Sequence, residues 1–414
     1  MKNTKFTSLS PLIFIPLLVL IFIRPFFSGL AYPALEVCYE NSIIFLAIVS
    51  LFISASSIGS KNKDYIARVR LPMEAGSRSN PYNLPILLLL LAYIISTIFS
   101  INIQNSIKEI IKFVSYISIF FLVSQVDDRQ KNVIIKSIVC AGSIIGLYSI
   151  YQYFWGYAHT LTYLEKIQSD FVLSSSYARD ILIAKRSIGT FPSPNILGSY
   201  LIMLFFMTLA LLKNKTLHLR WLSSSFIIII ALLLTKSLGA WLSLVSTLMV
   251  LFILLYNTFR KPKLILFFCL IFIISALTFI LITRWDRIMN LNNPQNSIIQ
   301  RLNYWLTAIS MIKEHPIVGV GPGNFQEVFL KYKVGLDTDT RYAHNIFLHT
   351  WSETGLLGLV GVLYLIIRFF QKFKIRPEDK FIFLSGLAFI LHNLIDNSYF
   401  IPQLGIIWWI LLSL

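Results

Sequence analysis

The chain has 414 residues, 56% of them hydrophobic and only 13% charged, with a formal net charge of +17 and a mean hydropathy of +0.71. That balance excludes a water-soluble globular domain and a charged disordered tail. It predicts an all-α fold, a polytopic transmembrane helix bundle forming a single integral membrane domain over 1–414. Apolar runs predict about twelve spans. They lie at 11–29, 42–58, 83–101, 107–126, 133–156, 194–212, 221–235, 237–256, 264–283, 346–367, 381–396 and 400–414. The first run follows Lys2 and Lys5, is interrupted by Arg24 and precedes no small-residue cleavage pattern, so it reads as a retained helix.

Basic residues fill alternate connections. Lys61, Lys63, Arg68, Arg70 and Arg78 share one, and Lys213, Lys215 and Arg220 another. A third holds Arg260, Lys261 and Lys263, and a fourth Arg368, Lys372, Lys374, Arg376 and Lys380. The positive-inside rule makes these loops and both termini cytoplasmic, and leaves 30–41, 157–193 and 284–345 outside. Charge so distributed meets anionic membrane lipid, not nucleic acid. Cys38, Cys140 and Cys269 lie far apart in or beside apolar segments and read as buried packing residues, without a disulfide framework.

Two outer loops carry the chemistry-bearing residues. The 157–193 loop ends in Lys185-Arg186-Ser-Ile-Gly189-Thr-Phe191-Pro-Ser-Pro194-Asn195. Arg186 and Asn195 stand where a helix opens, and its free N–H groups favour an anion. The plainer alternative has Arg186 snorkelling and Asn195 capping the helix. The large loop at 284–345, between the ninth and tenth spans, contains an amphipathic helix predicted over 297–313. Its apolar positions are Ile298, Leu302, Trp305, Ile309 and Ile312. Pro316 ends it, and Gly319-Val-Gly321-Pro322-Gly323 makes a sharp turn. That turn is either plain chain reversal or a set of backbone N–H donors for an anion.

The loop closes on His344-Asn345, followed after nine residues by Gly355-Leu-Leu-Gly358. A histidine at a membrane edge exchanges protons at neutral pH, and ionisable groups at that depth are functional candidates. Helical spacing puts His344, Leu348, Trp351, Gly355 and Gly358 on one face. Gly355, Gly358 and Gly361 then admit a neighbouring helix closely. His349 points about 140° away and is expected in packing or toward lipid. His159, His218, His315 and His392 show no zinc-site spacing, so neither metal nor cofactor is expected.

The pattern His-Asn, nine residues, Gly-x-x-Gly resembles the signature of the O-antigen ligase family, whose superfamily also holds O-antigen polymerases and protein O-oligosaccharyltransferases. Further stretches resemble it too. They are Arg186-x-x-Gly189-x-Phe191-x-x-Pro194-Asn195; Arg301-x-x-Tyr-Trp305 with His315-Pro-x-x-Gly319-x-Gly321-x-Gly323-x-Phe325; Glu353 with Gly355; and His392-Asn393-x-x-Asp396. The resemblance runs from Arg186 onward, and the first half agrees only in hydropathy. One departure stands out: where many members carry Ser-Arg-Gly, this chain reads Ser237-Leu238-Gly239, with Lys236 beside it.

The resemblance implies a metal-independent, inverting transferase at the outer face of the bacterial inner membrane. The glycan donor is linked to undecaprenyl diphosphate, and the acceptor is lipid A–core or another glycan. His344 then serves as general base. Arg186 and Arg301 hold the leaving diphosphate, whose oxygens suit arginine forks. Asn195, Lys236 and Arg341 are further substrate-binding candidates, and Asn345, Glu353, Gly355 and Gly358 support the site. A polymerase of the same superfamily is the alternative. A transporter fits less well, since few ionisable groups lie inside the spans and no internal repeat is visible.

The topology is testable with introduced cysteines. Those at Asn214 and Pro262 should resist a membrane-impermeant thiol reagent in intact cells, and those at Ser169 and Asn296 should react once any outer barrier is opened. The opposite labelling pattern would invert the bundle and put the His344 loop on the cytoplasmic side.

Overall fold

A computed structural model describes residues 8–28, 31–56, 80–167, 178–212, 218–255, 296–334, 340–375 and 379–414, with isolated positions from 274 to 290. The described residues are helical, with no strand among them. In chain order the helices are α1 (Pro11–Ile23), α2 (Pro33–Ser56), α3 (Asn83–Ile98), α4 (Ile103–Ser124), α5 (Asp128–Tyr151), α6 (Tyr157–Ile167) and α7 (Pro194–Leu211). They continue as α8 (His218–Thr235), α9 (Leu238–Leu255), α10 (Ser297–Glu314), α11 (Phe325–Tyr332), α12 (Ile346–Ile375), α13 (Lys380–His392) and α14 (Pro402–Ser413).

Local chemistry sets many of their starts. The Asn102 side chain accepts from the Gln104 and Asn105 N–H groups, and Asp127 with Gln130 forms a capping box. Ser193 caps α7 ahead of Pro194, and Asn296 caps α10. Four stretches are long and apolar enough to cross a membrane: Pro33–Ile53, Asp128–Leu164, Pro194–Leu211 and Ile346–Lys372. Six shorter apolar helices accompany them, and the chain is a multi-pass membrane protein. The span expected at 264–283 falls almost wholly outside the described residues.

The bundle is built around α7, which packs against α5, α8, α9 and α13. Gly198 of α7 makes the contact with α9 close, for a Cβ there would lie 2.8 Å from the Ala240 Cβ. On the other flank α12 lies along α3, α2 along α4, and α14 along α4.

Chain reversals gather at two ends. At one, Gln403 donates to the Phe27 carbonyl, Ser187 to the Ser149 carbonyl, the Ile101 N–H to the Val320 carbonyl and the Ile346 N–H to the Asn393 carbonyl. At the other, Gln130 bonds Leu9, while Lys131 and Lys372 donate to the Leu414 and Leu412 carbonyls. The described basic residues Arg220, Arg368, Lys372 and Lys380 belong to this second end, and the motif-bearing loops belong to the first.

Several sequence expectations need correction. Helix α2 starts at Pro33 and takes in much of the expected 30–41 loop. Its polar first turns are held by the fold: Glu36 pairs with the buried Arg24 at 2.6 Å. The expected 157–193 loop contains α6. Helix α10 forms close to where it was expected, but it buries Tyr304, Thr307, Ala308 and Met311. Leu302, Leu306 and Ile309 point outward, so the outer face of α10 is the apolar one, as at a lipid interface. Cys38 and Cys140 are exposed on the bundle exterior, because lipid replaces a protein core there; Cys269 lies outside the described residues.

The sharpest correction concerns α12. It is not one continuous helix, because Gly355 sits at φ 69°, ψ −170° and breaks it. A Cβ at Gly355 would lie 1.9 Å from the Ile317 carbonyl oxygen, so the glycine admits the 315–323 loop, not a helix. Gly361 does meet a helix, approaching Leu89 of α3.

Gly355→Ala should therefore lower the thermal midpoint of the detergent-purified protein. The strained backbone alone costs about 1–3 kcal/mol, and the Ile317 clash adds to it. Gly156→Ala, with no neighbour inside 3.6 Å of the new Cβ, should leave the midpoint unchanged. Equal midpoints for both variants would contradict the docking of the loop.

Candidate active site

The break in α12 leaves carbonyls without helical partners, and the glycine-rich loop takes them. The Val320 N–H donates to the Ser352 carbonyl, Gly321 N–H to that of Glu353, and Leu356 N–H to that of Pro316. Gly319, Gly321 and Gly323 all have positive φ, which lets the loop lie flat against the broken helix. The Glu353 carboxylate then accepts from the Gly323 N–H at 2.9 Å and the Phe325 N–H at 3.0 Å. The loop's N–H donors thus bind an anion, and that anion is the protein's own glutamate.

His349 completes this clamp. Its Nε2 lies 3.4 Å from Glu353 Oε2, and its Nδ1 accepts from the Ala343 N–H. It is 1% exposed, with its ring against Phe325, Tyr342 and Phe400. Packing is its surroundings, as expected; lipid is not.

His344 is not on the α12 face. It precedes the helix in left-handed backbone, φ 53°, while Asn345 caps α12 by accepting from the Phe347 and Leu348 N–H groups. Asn345 also donates to the Leu394 carbonyl, which ties this corner to the connection after α13. The His344 ring stacks on Tyr304 of α10, and its Nδ1 lies 3.7 Å from Asp396 Oδ1, an ion-pair distance longer than a hydrogen bond. The side chain keeps 23% exposure, so the ring is held yet reachable.

Asp396 joins His344 to Arg301. The Arg301 guanidinium donates to Asp396 Oδ2 at 3.0 Å, to the Ile395 carbonyl at 2.7 Å and to the Ser297 carbonyl at 3.1 Å. Burial opposes the charge on Asp396, but nearby His344 and Arg301 hold its carboxyl well below the usual range. Sequence reading quoted Asp396 in a motif without giving it a role. The available signal was a carboxylate at the end of an apolar helix.

A second group forms where α7 starts and α8 turns into α9. Arg186 donates to the Thr235 carbonyl and to Asn195 Oδ1, which also accepts from Ser237 Oγ. Lys236, with φ 49°, donates to the Ala184 carbonyl at 2.8 Å and lies over the Tyr153 ring. Ser237 is thus a further member that sequence reading passed over. Leu238, at the expected arginine position, opens α9. The two groups meet at Gly239, whose Cβ would lie 3.1 Å from Ile395 and 3.5 Å from His392 Nε2. Arg341 stands apart from both: its Nη2 lies 4.0 Å from Glu109 of α4. Gly358 faces Thr354 across the break in its own helix, a support for the bend.

Comparison with known proteins points to one superfamily. Residues 223–391 match the family model described as O-antigen ligase, a stretch holding Lys236, Arg301, Arg341, His344 and Glu353. The chain is 24% identical over 260 residues to a ComP-specific O-oligosaccharyltransferase of Acinetobacter baylyi, which covers 58% of this chain and 46% of that protein. It is 34% identical over 124 residues to an O-antigen ligase of Salmonella typhimurium, covering 26% of this chain and 31% of that protein. In these matches the chain spans less than half the length of each relative. No solved structure matches. The matches support the O-antigen ligase superfamily for this chain.

The Arg301–Asp396 pair is open to a double-mutant cycle. Asp396→Asn and Arg301→Met should each lower the thermal midpoint, since each strands the other's charge. The double variant should recover part of the loss, with a coupling of about 0.5–3 kcal/mol. Strict additivity would show that the two do not depend on each other.

Proposed function

We propose that this member of the O-antigen ligase superfamily moves a glycan from undecaprenyl diphosphate to lipid A–core at the outer face of the bacterial inner membrane. The observation that carries the reading is His344, held in left-handed backbone beside Asp396 with its ring still reachable. A neutral imidazole takes the proton of the acceptor hydroxyl as that oxygen attacks the anomeric carbon. Asp396 stabilises the imidazolium that forms. The bond to the diphosphate breaks on the opposite side, so the centre inverts.

The leaving diphosphate gains negative charge in this step, and preorganised cations stabilise it most effectively. Arg301 and Arg186 supply planar forks for it, with Lys236 and Asn195 beside Arg186 at the start of α7, where free N–H groups favour an anion. Arginines in these roles leave no step that calls for a metal. Arg220, Arg368, Lys372 and Lys380 at the opposite end of the bundle support a cytoplasmic side there under the positive-inside rule.

The likeness to an O-oligosaccharyltransferase supports a second reading, with a protein hydroxyl as acceptor. A deletion strain separates the two: loss of banding on lipid A–core supports the first, and loss of a glycosylated protein the second.

Purified His344→Ala should lose about 10²–10⁴ in rate while still binding donor. Arg186→Ala should weaken donor binding, and Arg186→Lys should restore it only in part, because a point charge lacks the fork. A His344→Ala enzyme with near-normal turnover would end the base assignment.

A further inference from the structure

The first half of the chain carries most of a second charge cluster, apart from the groups around His344; its carboxylates and Lys112 lie outside the matched family segment, and the half-exposed Arg341 lies within it. The cluster lies between α2, α4 and the strand of chain leading into His344. Glu109 pairs with Lys112 one turn along α4 and faces Arg341 at 4.0 Å. Lys112, 8% exposed, also donates to the Phe400 carbonyl. Gly323 crosses directly over Glu109, where a Cβ would lie 2.8 Å from its Cγ. Glu40 of α2 is within electrostatic reach of Lys112, Glu36, Glu109 and Arg24.

This cluster is incomplete. Glu40 is only 6% exposed. Tyr116, 3% exposed and within electrostatic reach of the same glutamates, has a hydroxyl without a partner among the described residues, and Glu36 Oε2 has none there either. Buried polar atoms left in this condition are destabilising. Two in one place, beside the buried Glu40, mark a site whose hydrogen bonds are completed by something else.

The chemistry of that occupant can be read from the charges. Arg24, Lys112 and Arg341 face Glu36, Glu40 and Glu109, three cations against three carboxylates. So balanced a site has no net attraction for a phosphate. Its carboxylates accept from hydroxyls, while Lys112 and Arg341 donate to hydroxyl oxygens, a pattern suited to neighbouring hydroxyls on a sugar ring. A peptide serine offers one hydroxyl and would leave the rest unmet. Arg341 stands three residues before His344 in the chain, which ties the cluster to the same loop as the proposed base.

We propose that Glu36, Glu40, Glu109, Lys112, Tyr116 and Arg341 form the acceptor site, and that it takes an uncharged, polyhydroxylated sugar of the acceptor glycan. This rests on the transferase reading above.

The test uses the full-length protein in detergent, with carrier-linked glycan and glycolipid both extracted from host cells deleted for this gene. Glu40→Gln keeps size but loses the carboxylate. It should raise the KM for the glycolipid about tenfold, with the donor KM and the thermal midpoint unchanged. Glu40→Asp should restore part of the loss. An acceptor KM within twofold of wild type in a folded Glu40→Gln enzyme would overturn the proposal, as would equal rises in both KM values. Absence of transfer by the wild-type enzyme would instead remove the transferase reading itself.

Discussion

The site depends on a carboxylate buried against a broken helix. Glu353 sits two residues before Gly355, where α12 changes direction, and its oxygens hold the N–H groups of Gly323 and Phe325. Without the break the Ser352 and Glu353 carbonyls would be spent inside the helix, and the 315–325 loop would have no edge to pair with. With it, loop and helix become one unit. His349 carries the same constraint to the backbone of Ala343, the residue before His344. The position of the candidate base thus follows from hydrogen bonds made well away from it.

Asp396 plays the matching part from the other side. A carboxylate this buried is tolerated because Arg301 and His344 flank it. In exchange it fixes the relation of α10, which carries Arg301, to the corner that carries His344. Arg301 also bonds two backbone carbonyls, so its guanidinium is oriented as well as charged. Preorganisation of this kind lets a cation act on developing charge without first rearranging.

Charge is divided by role along the first end of the bundle. Arg186 and Lys236 gather near the starts of α7 and α9, and balanced pairs gather between α2 and α4. On the proposed reading the first group meets the anionic carrier and the second the neutral glycan, with His344 between them. The matched family segment includes Lys236 but not Arg186 or Asn195, and none of Glu36, Glu40, Glu109 or Lys112. Acceptor choice would then be a property of the half of the chain that resembles the family only in hydropathy.

What the sequence determined by itself is the part governed by local composition. Apolar runs set most helices to within a few residues, because a helix in lipid must satisfy its own backbone and can hardly stop midway. Caps such as Ser193 before Pro194 mark starts for the same local reason, and the spacing around His344 marked a candidate site. The charged first turns of α2 escaped, since Glu36 is stable there only through Arg24, a partner twelve positions away. Helical spacing put His344 and Gly355 on one face, but Gly355 breaks the helix and His344 precedes it. That outcome was decided by contacts between Gly355 and Ile317, and between Glu353 and Gly323, far apart in the chain. The place of Asp396 was likewise decided by its pairing with Arg301 across 95 positions. Electrostatic pairing acts over distance in space and leaves no period in the sequence, so only the tertiary structure could assign it.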